Sequence, residues 1–426
     1  MANGQWLKAN NSMDLSIPKG RISGVVTPPC SKSYAQRALA SALLAEGESV
    51  LRNLDFCDDT LSAIRVIETL GAKVERIDER TVRVKGGLAP QSNVLNMGES
   101  GLATRMFTPI ASLCNTPITV EGRGTLLYRP MNMMIEPLRR LGVEVRDGGG
   151  YLPIEVCGPI RGGEIDVDGS VSSQFLTGLL MALPLAEEDT TIAVENAVSK
   201  PYLDMTIDMA SKFGVRIQHN DYKEFYVEGS QHYEAVDIAI EGDWSAAAML
   251  LVAGAIAGDI TLRNVSLLSK QADVAICDAL VRAGASVTSE PGSIIVEHRD
   301  LVGFEFDATQ CPDLFPALAA LAAAAEGESV IYGTHRLEHK ESNRAETIAA
   351  EYKKLGIDVE LEGDAMRIRG GAIRSAECIS HHDHRIAMSL AVSALRCDGE
   401  VLIRDAECVA KSYPDFFEAL ESLRVE

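Results

Sequence analysis

One pattern returns along this chain at an almost constant interval, and it limits what the chain can fold into. The segments ETLGAKVERIDERTVRVKGG, RRLGVEVRDGGGYLPIEVCG, SKFGVRIQHNDYKEFYVEGS, VRAGASVTSEPGSIIVEHRD and KKLGIDVELEGDAMRIRGG share one grammar: a helix end, a glycine behind an apolar residue, a strand, a short polar turn and a second strand. The glycines are Gly71, Gly142, Gly214, Gly284 and Gly356, separated by 71, 72, 70 and 72 positions. Self-similarity at a fixed period marks a repeated supersecondary unit. Glycine at that place suits a left-handed helix C-cap. The alternation that follows reads as a hairpin with one buried face.

A second series lies between the hairpins: long apolar helix patterns that open on polar residues. They begin near SKSYAQRALASALLA, SGLATRMFTPIASL, SVSSQFLTGLLMALPLA, DWSAAAMLLVAGAIAG, CPDLFPALAALAAAA and HHDHRIAMSLAVSAL. With Lys32, Ser100, Ser172, Trp244, Asp313 and His384 as markers the steps are 68, 72, 72, 69 and 71, so six repeats are present. Helices rich in Ala, Leu and Met on every face belong inside a domain. One such unit is too small to bury both its sheet and its helix, so neighbouring copies must share a core.

Three copies per domain is the natural division. The expectation is an α/β protein of two domains, 26–242 and 1–25 plus 243–426. The N-terminal strand around Met13 to Ile17 completes the second of these, because the sixth copy lacks its closing hairpin. An interdomain cleft is the default place for an active site.

Composition excludes several classes. With 40 Lys and Arg against 61 Asp and Glu the net charge is −21, which repels nucleic acid and anionic membrane surfaces. Nine scattered cysteines without a C-x-x-C point to reduced thiols. The N-terminus lacks an apolar leader core, and no apolar run approaches the ~18 to 20 residues of a membrane span, so a cytoplasmic protein is expected.

The helix openings are where chemistry is expected. A helix N-terminus leaves about four N–H groups unpaired and carries partial positive charge, which attracts phosphate and carboxylate. Ligand-ready side chains stand at these openings: Ser31, Lys32 and Ser33; Ser100 and Gly101; Ser172, Ser173 and Gln174; Asp313; and Asp383, His384 and Arg385. Ser and Asp there serve equally as simple N-caps. Lys32, Arg37, Arg105 and Arg385 do not fit that reading, since the dipole disfavours cations by some ~0.3 to 1 kcal/mol. Asp313, Glu341 and Asp383 stand ready to move protons among these cations. The run His381-His382-Asp383-His384 is poorly spaced for a metal, because adjacent residues at a helix start point in different directions, and His335 with His339 suits a loop better than coordination. No metal and no cofactor are expected. Neither a dinucleotide fingerprint, nor a P-loop, nor G-x-S-x-G is present.

These residues resemble the enolpyruvyl transferases over nearly the whole chain. The specific matches are P-x-S-K-S-x-x-x-R at Pro29 to Arg37, D-G-S-V-S-S-Q-F at Asp168 to Phe175, S-K-P-Y at Ser199 to Tyr202, K-E-S-x-R at Lys340 to Arg344, D-H-R at Asp383 to Arg385 and A-K-S-Y-P-D-F-F at Ala410 to Phe417. The resemblance implies a two-domain inside-out α/β barrel of six βαβαββ repeats. It implies transfer of the enolpyruvyl group of phosphoenolpyruvate to the 5-hydroxyl of shikimate 3-phosphate by addition and elimination, in a monomer without cofactor. Carried over, Lys32, Ser33, Arg37, Ser172, Ser173, Gln174, Ser199, Tyr202, Asp313 and Lys340 face shikimate 3-phosphate. Lys32, Gly101, Arg105, Arg129, Gln174, Arg344, Asp383, His384, Arg385 and Lys411 face phosphoenolpyruvate, with arginine forks on its phosphate and carboxylate. Asp313 is then the general base, and Glu341 with Lys32 moves protons at the enol carbon.

The chain also departs from the family pattern. Cys30 replaces a common glycine, and Glu99-Ser100-Gly101-Leu102 replaces Asn-Ala-Gly-Thr. Thr125 stands where an arginine is expected, leaving Arg123 or Arg129 to substitute, with Arg129 favoured. Arg336 replaces a frequent asparagine. Two other readings compete: the family member that acts on UDP-N-acetylglucosamine, whose reactive cysteine is missing from GRGTLLYRP, and a non-catalytic anion-binding repeat protein.

Overall fold

Six helices of this chain lack a polar face, and the architecture follows from the need to cover them on every side. In a computed structural model, which describes residues 8–9, 12–170, 173–338 and 340–425, the polypeptide forms two compact units. One is Cys30–Glu241; the other joins the residues up to Pro29 with those from Gly242 onward.

The Cys30–Glu241 unit carries α1 (Lys32–Leu44), α2 (Asp58–Thr69), α3 (Gly101–Ala111), α4 (Ile135–Arg140), α5 (Ser173–Ala182) and α6 (Lys200–Lys212). The other carries α7 (Trp244–Ala257), α8 (Ile276–Arg282), α9 (Phe315–Ala324), α10 (Arg344–Lys354), α11 (His384–Ala394) and α12 (Phe416–Ser422). The odd-numbered helices are the repeated apolar ones. All residues of α3 and α11 are buried. Apart from Ala324 at the end of α9, the residues of these six helices that are not fully buried occupy the first two positions: Lys32 and Ser33, Gln174, and Ser245. In α1, α5 and α7 it is therefore the helix opening that keeps contact with solvent.

Each repeat builds its sheet in the same way. In the second, Val94–Asn96 runs parallel to Ile118–Glu121 across the α3 crossover, and Ile118–Val120 pairs antiparallel with the hairpin strand Ile154–Cys157. The third repeats this with Gly163–Asp168, Thr190–Glu195 and the hairpin Ile217–Asn220/Glu224–Val227. The repeat glycines Gly71, Gly142, Gly214, Gly284 and Gly356 all have φ between 79 and 120°, the left-handed turn from helix into strand. The sheets stay separate and are not hydrogen-bonded into a closed barrel among the described residues. Two strands are supplied from far along the chain. Asp237–Ala239 lies parallel to Val50–Arg52 and opens the first repeat's sheet, while Leu15–Pro18 pairs with Glu400–Ile403 and supplies the strand that the sixth copy lacks. No helix of the described residues is long and apolar enough to cross a membrane.

Close helix contact in the Cys30–Glu241 unit depends on Gly178 of α5. A β-carbon there would lie 2.7 Å from the carbonyl oxygens of both Arg105 and Met106 on α3, and backbone cannot yield as a side-chain tip can. Gly178→Ala is expected to destabilise the protein by about 1–3 kcal/mol through overpacking. A urea midpoint equal to that of the parent protein refutes the packing claim.

Candidate active site

In the Cys30–Glu241 unit the openings of α1, α3 and α5 gather cations. Ser31 and Ser100 act as N-caps, their hydroxyls accepting from the N–H of Tyr34 (3.4 Å) and Ala103 (3.3 Å). The cations behind them have another use. Lys32 Nζ lies 3.1 Å from Asp59. Arg37 is fully buried: its Nε donates to Thr206 Oγ1, its Nη1 to the Ser33 carbonyl, and its Nη2 to Thr177 Oγ1 and the Tyr202 carbonyl. That places Arg37 behind Ser33 and Tyr202, fixing the backbone of both. Arg105 reaches Gln174 Oε1 (2.8 Å) and the Pro130 carbonyl (3.1 Å).

Of the two candidates for the missing arginine, Arg129 is the one brought to this cluster. It is buried, whereas Arg123 is exposed. Its guanidinium lies so close to Gly101 that a β-carbon there would meet Nη1 at 2.5 Å and Cζ at 2.8 Å. Glycine at the start of α3 is thus what admits the arginine. Arg129 Nε is buried without a hydrogen-bond partner, and no acidic side chain pairs with Arg37 or Arg129 among the described residues. Burial lowers the affinity of the Arg37 guanidinium for its proton, with Tyr34 and Tyr202 opposing that effect. Ser173 is buried at the first position of α5 and Gln174 half-buried beside it; Ser172 lies outside the described residues. Ser199, at a left-handed φ of 55°, precedes α6, and its carbonyl accepts from the Tyr202 N–H at 3.0 Å.

The other unit balances its cations with acids. Arg344, 1% exposed, is the hub: Nε donates to Asp383 Oδ2 (2.8 Å), Nη1 to Asp313 Oδ1 (2.7 Å) and Nη2 to Glu341 Oε2 (2.7 Å). Asp313 also takes Lys340 Nζ at 3.2 Å and Arg385 Nη2 at 3.3 Å. Unlike Ser31 and Ser100, Asp313 does not stand at an N-cap position: it sits inside the short 3-10 turn Pro312–Leu314 before α9. Burial alone would lower the pKa of Arg344, but Asp383, Glu341 and Asp313 more than offset it and hold the guanidinium firmly charged. Burial likewise opposes the charge on Arg385, yet its pKa is raised by Asp313 and, to a smaller extent, by Asp273 and Asp243. Lys340 is shifted down by burial, with Asp313 opposing.

Asp383 is fully buried and caps α11, accepting from the Arg385 N–H at 3.0 Å and from Ser342 Oγ at 3.1 Å. It stands behind Arg344 and aims it. His384 is buried beside it, Nδ1 3.9 Å from Asp383, and Lys411 is buried at the end of the turn Ala406–Lys411. His381 turns away from this cluster: Nε2 lies 2.7 Å from Glu351, which Lys354 and the Ile379 N–H also bind. His381 and His382 are both left-handed, φ 53 and 56°. That costs roughly 1–2 kcal/mol per residue and delivers Asp383 to Arg344. His335 pairs with Asp364, and His339 lies outside the described residues. Arg336 donates to the Thr309 carbonyl at 3.2 Å.

Residues 17–420 match the family model described as EPSP synthase (3-phosphoshikimate 1-carboxyvinyltransferase). The chain belongs to the EPSP synthase family. A 3-phosphoshikimate 1-carboxyvinyltransferase of Clostridium perfringens is 38% identical over 96% of this chain and 97% of its own length. The one from Methanosphaera stadtmanae is 35% identical over 97% and 100%. Among solved structures, EPSP synthase from Acinetobacter baumannii superposes with TM-score 0.84 at 28% identity, covering 96% of this chain and 98% of that one. The enolpyruvyl transferase NikO from Streptomyces tendae, at TM-score 0.77 and 18% identity over 96% of each chain, shares the fold.

Sequence reasoning missed four residues of these two clusters in the EPSP synthase-family chain. Asp59 at the head of α2 reads as a favourable helix-start acid, and only the structure turns it onto Lys32. Thr177 and Thr206 sit at apolar-looking helix positions yet hold Arg37. Ser342 passes unnoticed inside K-E-S-x-R while it helps to fix Asp383.

Gly101 gives a direct test. Gly101→Ala forces the Arg129 guanidinium to move while leaving helix propensity improved. The expected result is a KM for the anionic substrate raised about tenfold or more, the loss of one misplaced charge-assisted bond, with an unchanged or higher melting temperature. An unaltered KM shows that Arg129 is not used there.

Proposed function

We propose that this chain transfers the enolpyruvyl group of phosphoenolpyruvate to the 5-hydroxyl of shikimate 3-phosphate, releasing inorganic phosphate. The observation that carries the reading is electrostatic. Among the described residues no acid pairs with buried Arg37 or Arg129, in a chain of net charge −21, and leaving a guanidinium in that state costs several kcal/mol unless an anion binds. Family membership supplies the identity of the anions.

In this proposal Lys32, Ser33, Ser172, Ser173, Gln174, Ser199 and Tyr202 hold shikimate 3-phosphate, with Arg37 fixing the backbone of Ser33 and Tyr202 from behind and Lys340 assisting. Gly101, Arg105, Arg129, Arg344, Arg385 and Lys411 hold phosphoenolpyruvate. Asp383 and His384 act on that group through Arg344 and Arg385. Asp313 accepts the proton of the 5-hydroxyl as its oxygen bonds to C2 of phosphoenolpyruvate, while Glu341 and Lys32 deliver a proton to C3. In the second step the C–O bond to phosphate breaks, C3 gives back a proton, and the double bond re-forms. The cations act by offsetting the repulsion among the phosphates and carboxylates that the tetrahedral intermediate joins in one molecule. A cytoplasmic monomer is part of the same proposal.

The test is phosphate release from phosphoenolpyruvate, dependent on shikimate 3-phosphate and insensitive to a chelator. Asp313→Ala and Lys32→Ala are each expected to lower kcat by ~10² or more, the usual contribution of a positioned proton-transfer group, with circular dichroism preserved. Parent-like turnover in either variant removes that residue from the mechanism. Release supported by UDP-N-acetylglucosamine instead overturns the substrate assignment.

A further inference from the structure

Two consecutive left-handed residues bring Asp383 to Arg344, and neither of them is a glycine. His381 and His382 have φ of 53 and 56°. Residues with a β-carbon rarely adopt that conformation, so the bend has to be held by its surroundings. Its inner side is held by Ser380, which is fully buried. The Ser380 N–H donates to the Arg404 carbonyl (3.1 Å) and its Oγ to the Asp405 carbonyl (2.9 Å). In turn the His382 N–H donates to Ser380 Oγ (3.1 Å) and the Asp383 N–H to the Ser380 carbonyl (3.0 Å).

The outer side is held by Glu351. Its carboxylate, 1% exposed, accepts from the Ile379 N–H at 3.0 Å and from His381 Nε2 at 2.7 Å, while Lys354 Nζ lies 2.8 Å from both of its oxygens. Burial would raise its pKa, but hydrogen bonds from Lys354, His381 and the Ile379 N–H hold it below the usual carboxylate range, so it is ionised at neutral pH and can only accept. Glu351 belongs to α10, the helix that Arg344 opens, seven positions further on and on the same buried face. A circuit therefore closes. Arg344 begins α10, Glu351 two turns later grips Ile379 and His381, and Asp383 beyond the bend returns to Arg344 Nε at 2.8 Å. The packing of α10 against α11 has a tie of its own, a 3.0 Å hydrogen bond between buried Tyr352 and Ser393.

We propose that Glu351 and His381 are positioning residues for the enolpyruvyl transfer: their hydrogen bond fixes the bend that aims Asp383, and Asp383 aims the Arg344 guanidinium at phosphoenolpyruvate. This rests on the reading of Arg344 as a phosphoenolpyruvate contact. Neither residue has to touch substrate, because each acts through Asp383. Arg344 keeps Asp313 and Glu341 as partners if the grip is lost, so its charge survives. What changes is direction. The fork of an arginine binds phosphate or carboxylate well only when its plane is set, and Nε, the atom that Asp383 holds, lies where the side chain joins that plane.

His381→Gly separates the grip from the bend, because glycine adopts a left-handed φ freely and only the imidazole is removed. Glu351→Gln takes the charge from the other half of the pair and serves if the glycine variant folds poorly. Nitrogen-15 NMR of the arginine Nε–H groups reads the effect in the ligand-free protein, with the Arg344 signal assigned by its loss in Arg344→Lys. Exchange of that proton with water should be about fivefold faster in both variants than in the parent, as expected of a loosened bond to Asp383. In steady-state kinetics the KM for phosphoenolpyruvate should rise about fivefold or more, while the KM for shikimate 3-phosphate stays at the parent value. A pair that served stability alone would lower the melting temperature without this split. Parent-like exchange at Arg344 in His381→Gly overturns the proposal, as does a parent-like KM for phosphoenolpyruvate, whatever the melting temperature. Absence of phosphate release dependent on shikimate 3-phosphate in the parent instead sinks the functional reading, and the exchange measurement then decides the positioning role alone.

Discussion

A helix without a polar face has to be enclosed, and this requirement organises the protein. α3, α7, α9 and α11 would each expose a full apolar circumference if left at a surface, at ~25 cal/mol for every Å² uncovered. Sheets from three repeats supply the cover in each unit. The consequence for function is geometric. When every other position of such helices is buried, their openings are the places where Lys32, Ser33, Gln174 and Ser245 keep access to solvent. Backbone N–H groups and accessible polar side chains therefore coincide at the same repeat phase.

The two clusters solve the problem of buried charge in opposite ways. Arg344 is surrounded by three carboxylates within 2.8 Å and is charged whether or not a ligand binds. Arg37 is held by hydroxyls and carbonyls, groups that orient a guanidinium but do not neutralise it, and Arg129 Nε has no partner among the described residues. The first arrangement is stable in the free protein and places acids where protons move. The second leaves positive charge unsatisfied, and its remedy is an incoming anion. A negative chain does not contradict an anionic ligand, because local desolvation outweighs a screened net charge beyond a Debye length of about 8 Å.

Much of this was legible before any coordinates. Repeat glycines mark left-handed turns because few other residues tolerate them, and the cationic helix openings stand out because the dipole opposes them. What stayed hidden depends on side-chain direction. Arg123 and Arg129 are both near R-P in one loop, and only the fold buries one of them against Gly101. Asp59 and Glu351 look like ordinary acids of a helix start and a helix middle. Ser31 and Asp313 occupy matching places in their repeats, yet one caps its helix and the other binds three cations. Asp383 carries the right chemistry for a ligand contact but is fully buried behind Arg344.

The amino-acid sequence by itself determined the period, the six buried helices, the hairpins and the chemical types gathered at each opening, since these rest on patterns of three to twenty residues read along one chain. The tertiary structure alone decided which carboxylate meets which guanidinium, which strand from one end of the chain closes a repeat at the other, and which arginines lack an acidic partner among the described residues. Those pairings join residues separated by as many as several hundred positions, and in the low-dielectric interior a difference of a few ångströms reverses whether a charge is tolerated.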